Sequence, residues 1–533
     1  MARYGWARQV TVLVALWLSV LVVGLDTMVL SVALPTLSRD LGASTAQLQW
    51  VTDAYTLALA ALLLPVGLLS DRYGRRTVLL AGLALFGLAS AACAEVTTPA
   101  QLIAARAVLG VGAAVLLSVP LSIVPTVFRG DTPAEPGRKP TGLGTSGALS
   151  VLVSGMMLGL PLGPLLGGWL LGHFWWGSVF LINVPVVVLA MVVVAVAIPQ
   201  SRGAARRPDV PGVVLSALGL VALVYAVIEG PERGWTSLPV LAGLAGAAVL
   251  LAGFVGWQAR ARQPLVRLGL FTDRRFSVGV LAMTLAGFAL FGVVFVLPQY
   301  LQVVLGTDAF GAGVRLLPLI GGMLVAAPVG DRLSRWTGRR LPVAVGLLVV
   351  TVGLAVHSRV TVHSGYGLTA VAMLIEGFGI ALALSPAMDS ALAAFRTEEA
   401  ATGSALVQSI RQVGAALSVA VLGSVLNAAY RDRLDPSLTG LPPAAAHAAR
   451  GSVAGAVEVA VRTGDTSLRA AAENAFTHGM SAMLLVCAGA AAVSAVLAAL
   501  LLPNRDRPAP AAAPRPAAPP VAAARQHNGR HEG

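Results

Sequence analysis

Two stretches decide how this chain is read. The first is Gly67-Leu-Leu-Ser-Asp71-Arg72-Tyr-Gly74-Arg75-Arg76. The second is Gly330-Asp331-Arg332-Leu-Ser-Arg335-Trp-Thr-Gly338-Arg339-Arg340. Each is a short arginine-rich turn between two long apolar runs. Gly74 and Gly338 lie 264 positions apart. A second feature recurs at nearly that offset. Gly110-x-Gly112-x-Ala114 with Pro120 beyond it matches Gly377-x-Gly379-x-Ala381 with Pro386 beyond it, 267 positions on. Two independent features at one spacing predict a duplicated unit. Parallel duplications in membranes place a binding site between the copies near the bilayer midplane.

The composition says which solvent surrounds the copies. Of 533 residues, 56% are hydrophobic and 11% charged, and the mean hydropathy is +0.80. A soluble domain carries about 25% charged residues. A soluble enzyme, a disordered chain and a collagen-like fibre are therefore excluded, and a polytopic helical membrane protein remains. A spanning helix needs about 20 apolar residues. Fourteen runs qualify: 10–34, 48–69, 77–95, 101–127, 143–171, 179–199, 211–229, 238–257, 277–303, 310–330, 341–358, 367–394, 402–429 and 478–502. The first continues without a cleavage signal, so it reads as a retained helix. The expected fold is all-α, with two six-helix bundles and two extra helices. The first bundle spans 1–200, the inserted pair 201–262, and the second bundle 263–503 with a long loop at about 430–475. Ser452 to Ala471 is expected to form a short amphipathic helix outside the membrane. The Pro-, Ala- and Arg-rich tail, 504–533, cannot bury a core and is expected to be disordered.

The net charge is +13. On a soluble chain this would point to nucleic acid. Here the arginines concentrate in alternate short loops, including Arg72, Arg75, Arg76, Arg274, Arg275, Arg332, Arg335, Arg339 and Arg340. That asymmetry marks cytoplasmic loops. It places both termini in the cytoplasm, and no nucleic-acid partner is expected. The short loops between hold Arg39, Arg233, Arg315 and Arg359, one each; the long loop at about 430–475 carries five, but its length makes its charge a poor guide to topology. Lys139 is the only lysine and precedes Pro140, so a Walker A loop is absent. Cys93 and Cys487 sit in apolar runs and read as packing thiols. No cofactor or metal is expected.

Charges inside the spans are expensive and mark function by default. Asp26 lies inside span 1, Asp53 toward the outer part of span 2, and Arg106 inside span 4. A sequestered carboxylate can carry a proton, pair with a cation, or alternate between them. Asp26 reads as such a group rather than as a structural hydrogen-bond partner. Asp53 reads as functional too, with an interfacial acid, suggested by Trp50, Thr52 and Tyr55 beside it, as the alternative. Arg106 should face the bundle interior and pair, with Asp26 as the nearest acid. A conformational change in their separation would then switch proton affinity. In the second half, Glu376 and Asp389 fall in span 12, and Gln408 and Arg411 in span 13. Glu376 reads equally as a second proton or cation site and as a buried partner of Arg411 or of backbone. Asp389 and Arg411 are placed nearer the cytoplasmic ends, in a gate or a pairing, with Gln408 beside them.

Gly74 forces a tight turn, and Asp71 is expected to accept bonds from a helix N-terminus, the start of span 13 near Gly403. The loop would then be a latch that forms in one conformation and breaks in the other. Gly159, Gly163, Gly167 and Gly168 recur about every four residues and give span 5 a smooth face for close helix approach. Pro164 loosens the helix there. Met28, Met156, Met157, Phe288, Phe291 and Phe295 supply apolar, adaptable walls, though each reads first as a packing residue.

These residues resemble the major facilitator superfamily, specifically its fourteen-span drug:proton antiporters of the quaternary-ammonium exporter type. Gly67 to Arg76 matches the loop signature G-x-x-x-D-R-x-G-R-R at every fixed position. Leu25-Asp26-Thr27 through Ala33-Leu34-Pro35 resembles the first-span signature. Arg106-x-x-x-Gly110-x-Gly112 resembles the membrane arginine motif. Gly159-x-x-x-Gly163-Pro164-x-x-Gly167-Gly168 resembles the antiporter motif, and Phe180-Leu-Ile-Asn183-Val-Pro185 the opening of span 6. Ser150, Trp176-Gly177-Ser178 and Arg335 depart from the family pattern. Arg335 stands where the first copy has Asp71, so only the first loop carries the full charge lock. The resemblance implies a major-facilitator fold in the cytoplasmic membrane. It implies a monomer that exchanges protons for small amphipathic, often cationic compounds by alternating access. It also implies functional acids at Asp26 and Asp53 and a proton-coupling role for Arg106. A dedicated exporter of one metabolite and a solute:proton importer are the alternatives. An enzyme is not expected, because no acyl-transfer motif or serine elbow is present.

Overall fold

The structure, a computed structural model, describes residues 6–128, 144–203, 209–395 and 400–504. The expected tail from 505 onward lies outside these residues, as do Arg3, Arg129, Arg138, Lys139, Arg206, Arg207 and Arg396.

The first six spans are α1 (Trp6–Asp40), α2 (Thr45–Tyr73), α3 (Arg75–Glu95), α4 (Pro99–Val127), α5 (Thr145–His173), and a sixth built from α6 (Ser178–Leu181) and α7 (Asn183–Ala197). Two more follow, α8 (Val210–Arg233) and α9 (Leu238–Arg260). The last six are α10 (Arg274–Gln299), a span formed by α11 (Ala309–Arg315) and α12 (Leu317–Thr337), α13 (Arg340–His357), α14 (Tyr366–Leu392), α15 (Ala400–Leu434) and α18 (Thr466–Leu501). Short α16 (Pro443–Gly451) and α17 (Val453–Thr463) precede α18. Fourteen of these segments are long and apolar enough to cross a membrane.

The repeat has the same packing in both copies. In the first, a Cβ at Gly110 would strike the carbonyl oxygen of Tyr55 in α2. One at Gly112 would lie 2.9 Å from the Phe86 side chain in α3. In the second, a Cβ at Gly377 would strike the carbonyl oxygen of Leu319 in α12. One at Gly379 would lie 2.6 Å from the carbonyl oxygen of Gly346 in α13. The glycine pair therefore lets α4, and likewise α14, press against two neighbours at once. The two arginine-rich turns also match. Gly74 has φ +103° and Gly338 φ +82°, and each donates its amide to a serine carbonyl four residues back, Ser70 and Ser334. Side chains rarely adopt that backbone, which is why glycine ends both helices.

α15 has 35 residues and α18 has 36. At 1.5 Å per residue each is about 50 Å long, well beyond the hydrocarbon. Their surplus projects from the face opposite the arginine-rich turns and carries α16 and α17. The expected single helix from Ser452 to Ala471 is instead α17 followed by the start of α18. Gly464 breaks them, with φ +68°. Tyr430 donates to the Ala449 carbonyl at 2.8 Å, and Ser38 of α1 bonds Ser452 at 2.8 Å.

The inserted pair packs mainly on itself. Its inward contacts are Val224 and Ile228 of α8 against Ala46 and Leu57 of α2 and Ala416 and Ala420 of α15. One carboxylate ties the pair to the second half. Asp209 caps α8, accepting from Gly212 N at 3.1 Å, Trp257 Nε1 at 2.7 Å, Gln258 Nε2 at 2.7 Å and Leu265 N at 3.4 Å. Partial burial acts to raise its pKa, but those four bonds outweigh it and hold the carboxyl below its ordinary value.

A group with a lowered folded-state pKa stabilises above its unfolded value, and that contribution is lost as pH falls through the folded value. We therefore expect Asp209→Ala to destabilise the protein in detergent by about 1–2 kcal/mol at neutral pH, since bonds to charged groups carry that order. The gap to wild type should shrink once the pH falls below 3.8. Thermal unfolding at several pH values measures it, and a pH-independent gap would disprove the role.

Candidate functional site

Asp26 and Arg106 meet inside the first six spans. Arg106 Nη1 lies 2.6 Å from Asp26 Oδ2, and both side chains are 1% exposed. α1 and α4 supply the pair, and the surroundings fix its geometry. Arg106 Nε donates to the Val51 carbonyl at 3.2 Å. The guanidinium sits 4.2 Å from the Tyr55 ring centroid and 6.0 Å from that of Phe180. On the other carboxylate oxygen, Asn183 Nδ2 donates at 3.0 Å. The same amide reaches Ser90 Oγ at 3.0 Å, and Ser90 in turn donates to the Phe180 carbonyl at 2.8 Å. Five spans thus converge on one ion pair. Asn183 was visible only as part of the span-6 motif, and Ser90 gave no signal in the sequence.

Asp53 lies elsewhere. It is buried in the face of α2 that carries Gln49, Leu57 and Ala60, and neither carboxylate oxygen has a partner. That face packs on α15. Gln49 Nε2 donates to the carbonyls of Val419 and Ala420 at 2.9 and 3.0 Å, and Ser409 Oγ donates to Ala60 O at 2.7 Å. Burial on this face argues against the alternative reading of Asp53 as an interfacial acid. Asp53 is enclosed where the two halves meet.

A narrow cavity of about 30 Å³ adjoins the ion pair. Thr27, Met28, Ser31, Tyr55, Thr56 and Arg106 line it from the first half, and Phe291, Phe295 and Val419 from the second. Of the expected apolar walls, Met28, Phe291 and Phe295 reach this space. Met156 packs its backbone on Gly24, and Met157 is 43% exposed.

The glycine-rich motif of α5 has two faces. Gly159 and Gly163 approach Gly24, Leu25 and Met28 of α1, the residues flanking Asp26. Gly167 meets Val29, and Gly168 meets Ala309 and Phe310 of α11. The Pro164 carbonyl lies against Gly313, also of α11. One helix thus seats the α1 carboxylate and touches the second half.

The arginine-rich turn does not reach Gly403. Asp71 pairs with Arg75 at 2.8 Å, and its carbonyl accepts from Gly203 N at 3.1 Å. Arg75 N donates to Ser201 O at 2.9 Å, Arg76 N to Gln200 Oε1 at 3.1 Å, and the Arg76 guanidinium to Ala195 O. Arg72 stacks on Tyr73, and Gly67 faces open space. In this conformation the turn is tied to the linker after α7, within its own half.

The second-half candidates separate. Glu376 does not pair with Arg411. Its Oε1 lies 2.9 Å from His357 Nδ1 at the end of α13, and both side chains are fully buried. Asp389 is near the end of α14, in the wall of a cleft of about 510 Å³ with Arg275, Arg335 and Arg339. Arg411 is deeper than expected. It faces Gly287, half-way along α10, and Gln408 accepts from its Nε at 3.0 Å. Among the described residues, no group of three His, Cys, Asp or Glu side chains is placed to hold a metal.

The sequence profile described as Major Facilitator Superfamily matches residues 16–419. The chain is 33% identical to "Multidrug resistance protein Stp" of Mycobacterium tuberculosis (strain CDC 1551 / Oshkosh), over 81% of this chain and 78% of that protein. It is 34% identical to the "Tetracenomycin C resistance and export protein" of Streptomyces glaucescens, over 78% and 75%. Among solved structures, a bacterial homolog to the human lysosomal transporter Spinster, inward-facing and unoccupied, superposes with a TM-score of 0.64 at 17% identity. That match covers 95% of this chain and 100% of that one, and it establishes a shared fold.

Removing one partner of a buried ion pair strands the other and costs about 3–5 kcal/mol. We expect Arg106→Met to destabilise by that order, and the double variant Asp26→Asn/Arg106→Met to recover at least about 1 kcal/mol. Thermal unfolding of the purified variants reads this. A double variant no more stable than the single would show that the two charges are not coupled.

Proposed function

The chain belongs to the Major Facilitator Superfamily, and from that premise we propose that it is a proton-coupled exporter of amphipathic, often cationic compounds. It works by alternating access in the cytoplasmic membrane, with the arginine-rich face and both termini inside. The observation that carries this reading is the sealed Asp26–Arg106 pair, whose arginine lines a cavity shared by the two halves. A carboxylate that trades a guanidinium for a proton when the helices shift couples proton movement to shape. Asn183 and Ser90 hold the carboxylate still, so the trade depends on the α1–α4 separation.

Asp53 supplies a second step. An anion enclosed between α2 and α15 without a donor is strongly disfavoured. Asp53 therefore holds a proton while the halves are closed together there and releases it when they part. Bonds across the interface support closure of the opposite face in this arrangement. Gln302 Nε2 donates to Val32 O at 2.9 Å, Gln49 bonds α15, and Thr45 Oγ1 donates to Gly451 O at 3.0 Å. The arginine-rich turn ties its own half together and is remade as the halves rock.

Proton drive is sufficient. Concentrating a neutral compound a hundredfold costs about 2.7 kcal/mol. One proton crossing 100 mV releases about 2.3 kcal/mol, before any pH gradient. One or two protons per compound suffice without ATP, and a monomer holds the whole machinery. A narrow exporter of one endogenous compound is the second reading, favoured by the similarity to the Streptomyces glaucescens export protein. A resistance panel with and without an uncoupler separates breadth from a single substrate.

The purified protein in liposomes under an imposed pH gradient should move ethidium outward in the orientation of the cell. Asp26→Asn should abolish the gradient-dependent part while the protein stays folded, and Asp53→Asn should reduce it at least about tenfold. Undiminished gradient-driven efflux by Asp26→Asn would retire the assignment.

A further inference from the structure

Arg411 is a charged group that this reading leaves unused. Its helix, α15, carries Ser409 against Ala60 in the middle of α2 and Arg411 against Gly287 in the middle of α10. Arg411 therefore sits near mid-depth between the faces. Its Nε donates to Gln408 Oε1 at 3.0 Å, a residue of its own helix. Among the described residues no carboxylate lies within ion-pair distance of it. Arg106, the buried arginine of the first half, is ion-paired and stacked on Tyr55.

Its neighbours on α15 are polar as well. Gln408, Gln412 and Val419 recur at i, i+4 and i+11 on α15, which places them on one face. Val419 lines the cavity between the halves. Arg411 borders that face and is only partly buried. Opposite it, Gly287 offers no side chain. One turn away on α10, Thr284 packs its methyl on Gly414 while its buried hydroxyl has no partner. A guanidinium, an amide and an unsatisfied hydroxyl thus share one layer of the interface. All three can donate hydrogen bonds, and the guanidinium has no counter-charge.

An arginine kept at that depth without an anion is costly, and a planar guanidinium suits an oxyanion. We propose that Arg411 is the docking point for an anionic oxygen of the transported compound, a carboxylate or a phenolate. The substrates then include amphipathic acids and zwitterions beside cations. The cation of a zwitterion would face the Asp26 and Asp53 side, and its anion would face α15. This rests on the reading above, that the space between the halves carries the substrate.

Binding tests it apart from transport. Fluorescein, a planar amphipath with a carboxylate and a phenolate, and ethidium, a planar cation, are titrated into the full-length protein in nanodiscs. Fluorescence polarisation is the readout. Wild type should bind both. Arg411→Gln should lower the ratio of fluorescein to ethidium affinity at least about tenfold. Arg411→Lys should recover part of that loss, because it keeps the charge without the fork. If Arg411→Gln binds neither probe, Arg411→Lys decides, and its ratio must still fall. An unchanged ratio overturns the proposal, and so does wild type that binds ethidium but not fluorescein. A failure of proton coupling shows separately, in the liposome experiment, and leaves this binding result standing.

Discussion

An arginine and an aspartate held together where no water reaches are the constraint on which the rest of this molecule depends. Either charge alone in the hydrocarbon is costly. Their contact therefore fixes the relation of α1 to α4, and through Val51, Tyr55, Ser90 and Asn183 it fixes α2, α3 and the sixth span as well. A buried ion pair is weak evidence for stability, because desolvation offsets most of its attraction. Its value here is as a two-state element. In the proposed exchange the carboxylate trades the guanidinium for a proton as the helix spacing changes.

Small residues make such spacing adjustable. Gly159 and Gly163 let the backbone of α5 rest on α1 on either side of Asp26, while Gly168 and Pro164 rest on α11 of the second half. A helix touching both halves through flat surfaces can slide without dragging interdigitated side chains. The repeated glycine pairs in α4 and α14 do the opposite work. They lock each helix between two neighbours, so that each half moves as a body. Rigid halves and smooth contacts between them are what rocking requires.

The two halves are not chemically equivalent. The first joins Asp26 and Arg106 in one network and keeps Asp53 apart from it. The second scatters them, with Glu376 sealed against His357, Asp389 in a cleft at the arginine-rich face and Arg411 at mid-depth. Duplication copied the backbone plan and left the polar residues free to diverge. The same divergence shows in the turns, where Arg335 replaces the acid of the first copy. The inserted pair leans on α2 and α15 through apolar contacts and one ion pair, Glu232 with Arg431 at 3.4 Å, and so widens the membrane footprint.

The amino-acid sequence by itself determined the number of spans, the bias of arginine toward one face, the duplication and the identity of the sequestered charges. These follow from hydropathy, run length and spacing, which are local properties of the chain. Only the tertiary structure decided the partners. It joined Asp26 to Asn183 as well as Arg106 and gave Glu376 to His357 rather than Arg411. It also enclosed Asp53 with no partner and turned Asp71 toward its own linker. The physical reason is rotation and register. Each residue along a helix turns the side chain by about 100° and lifts it 1.5 Å. Which two side chains meet therefore depends on how whole helices are rotated and stacked, and close packing sets that collectively.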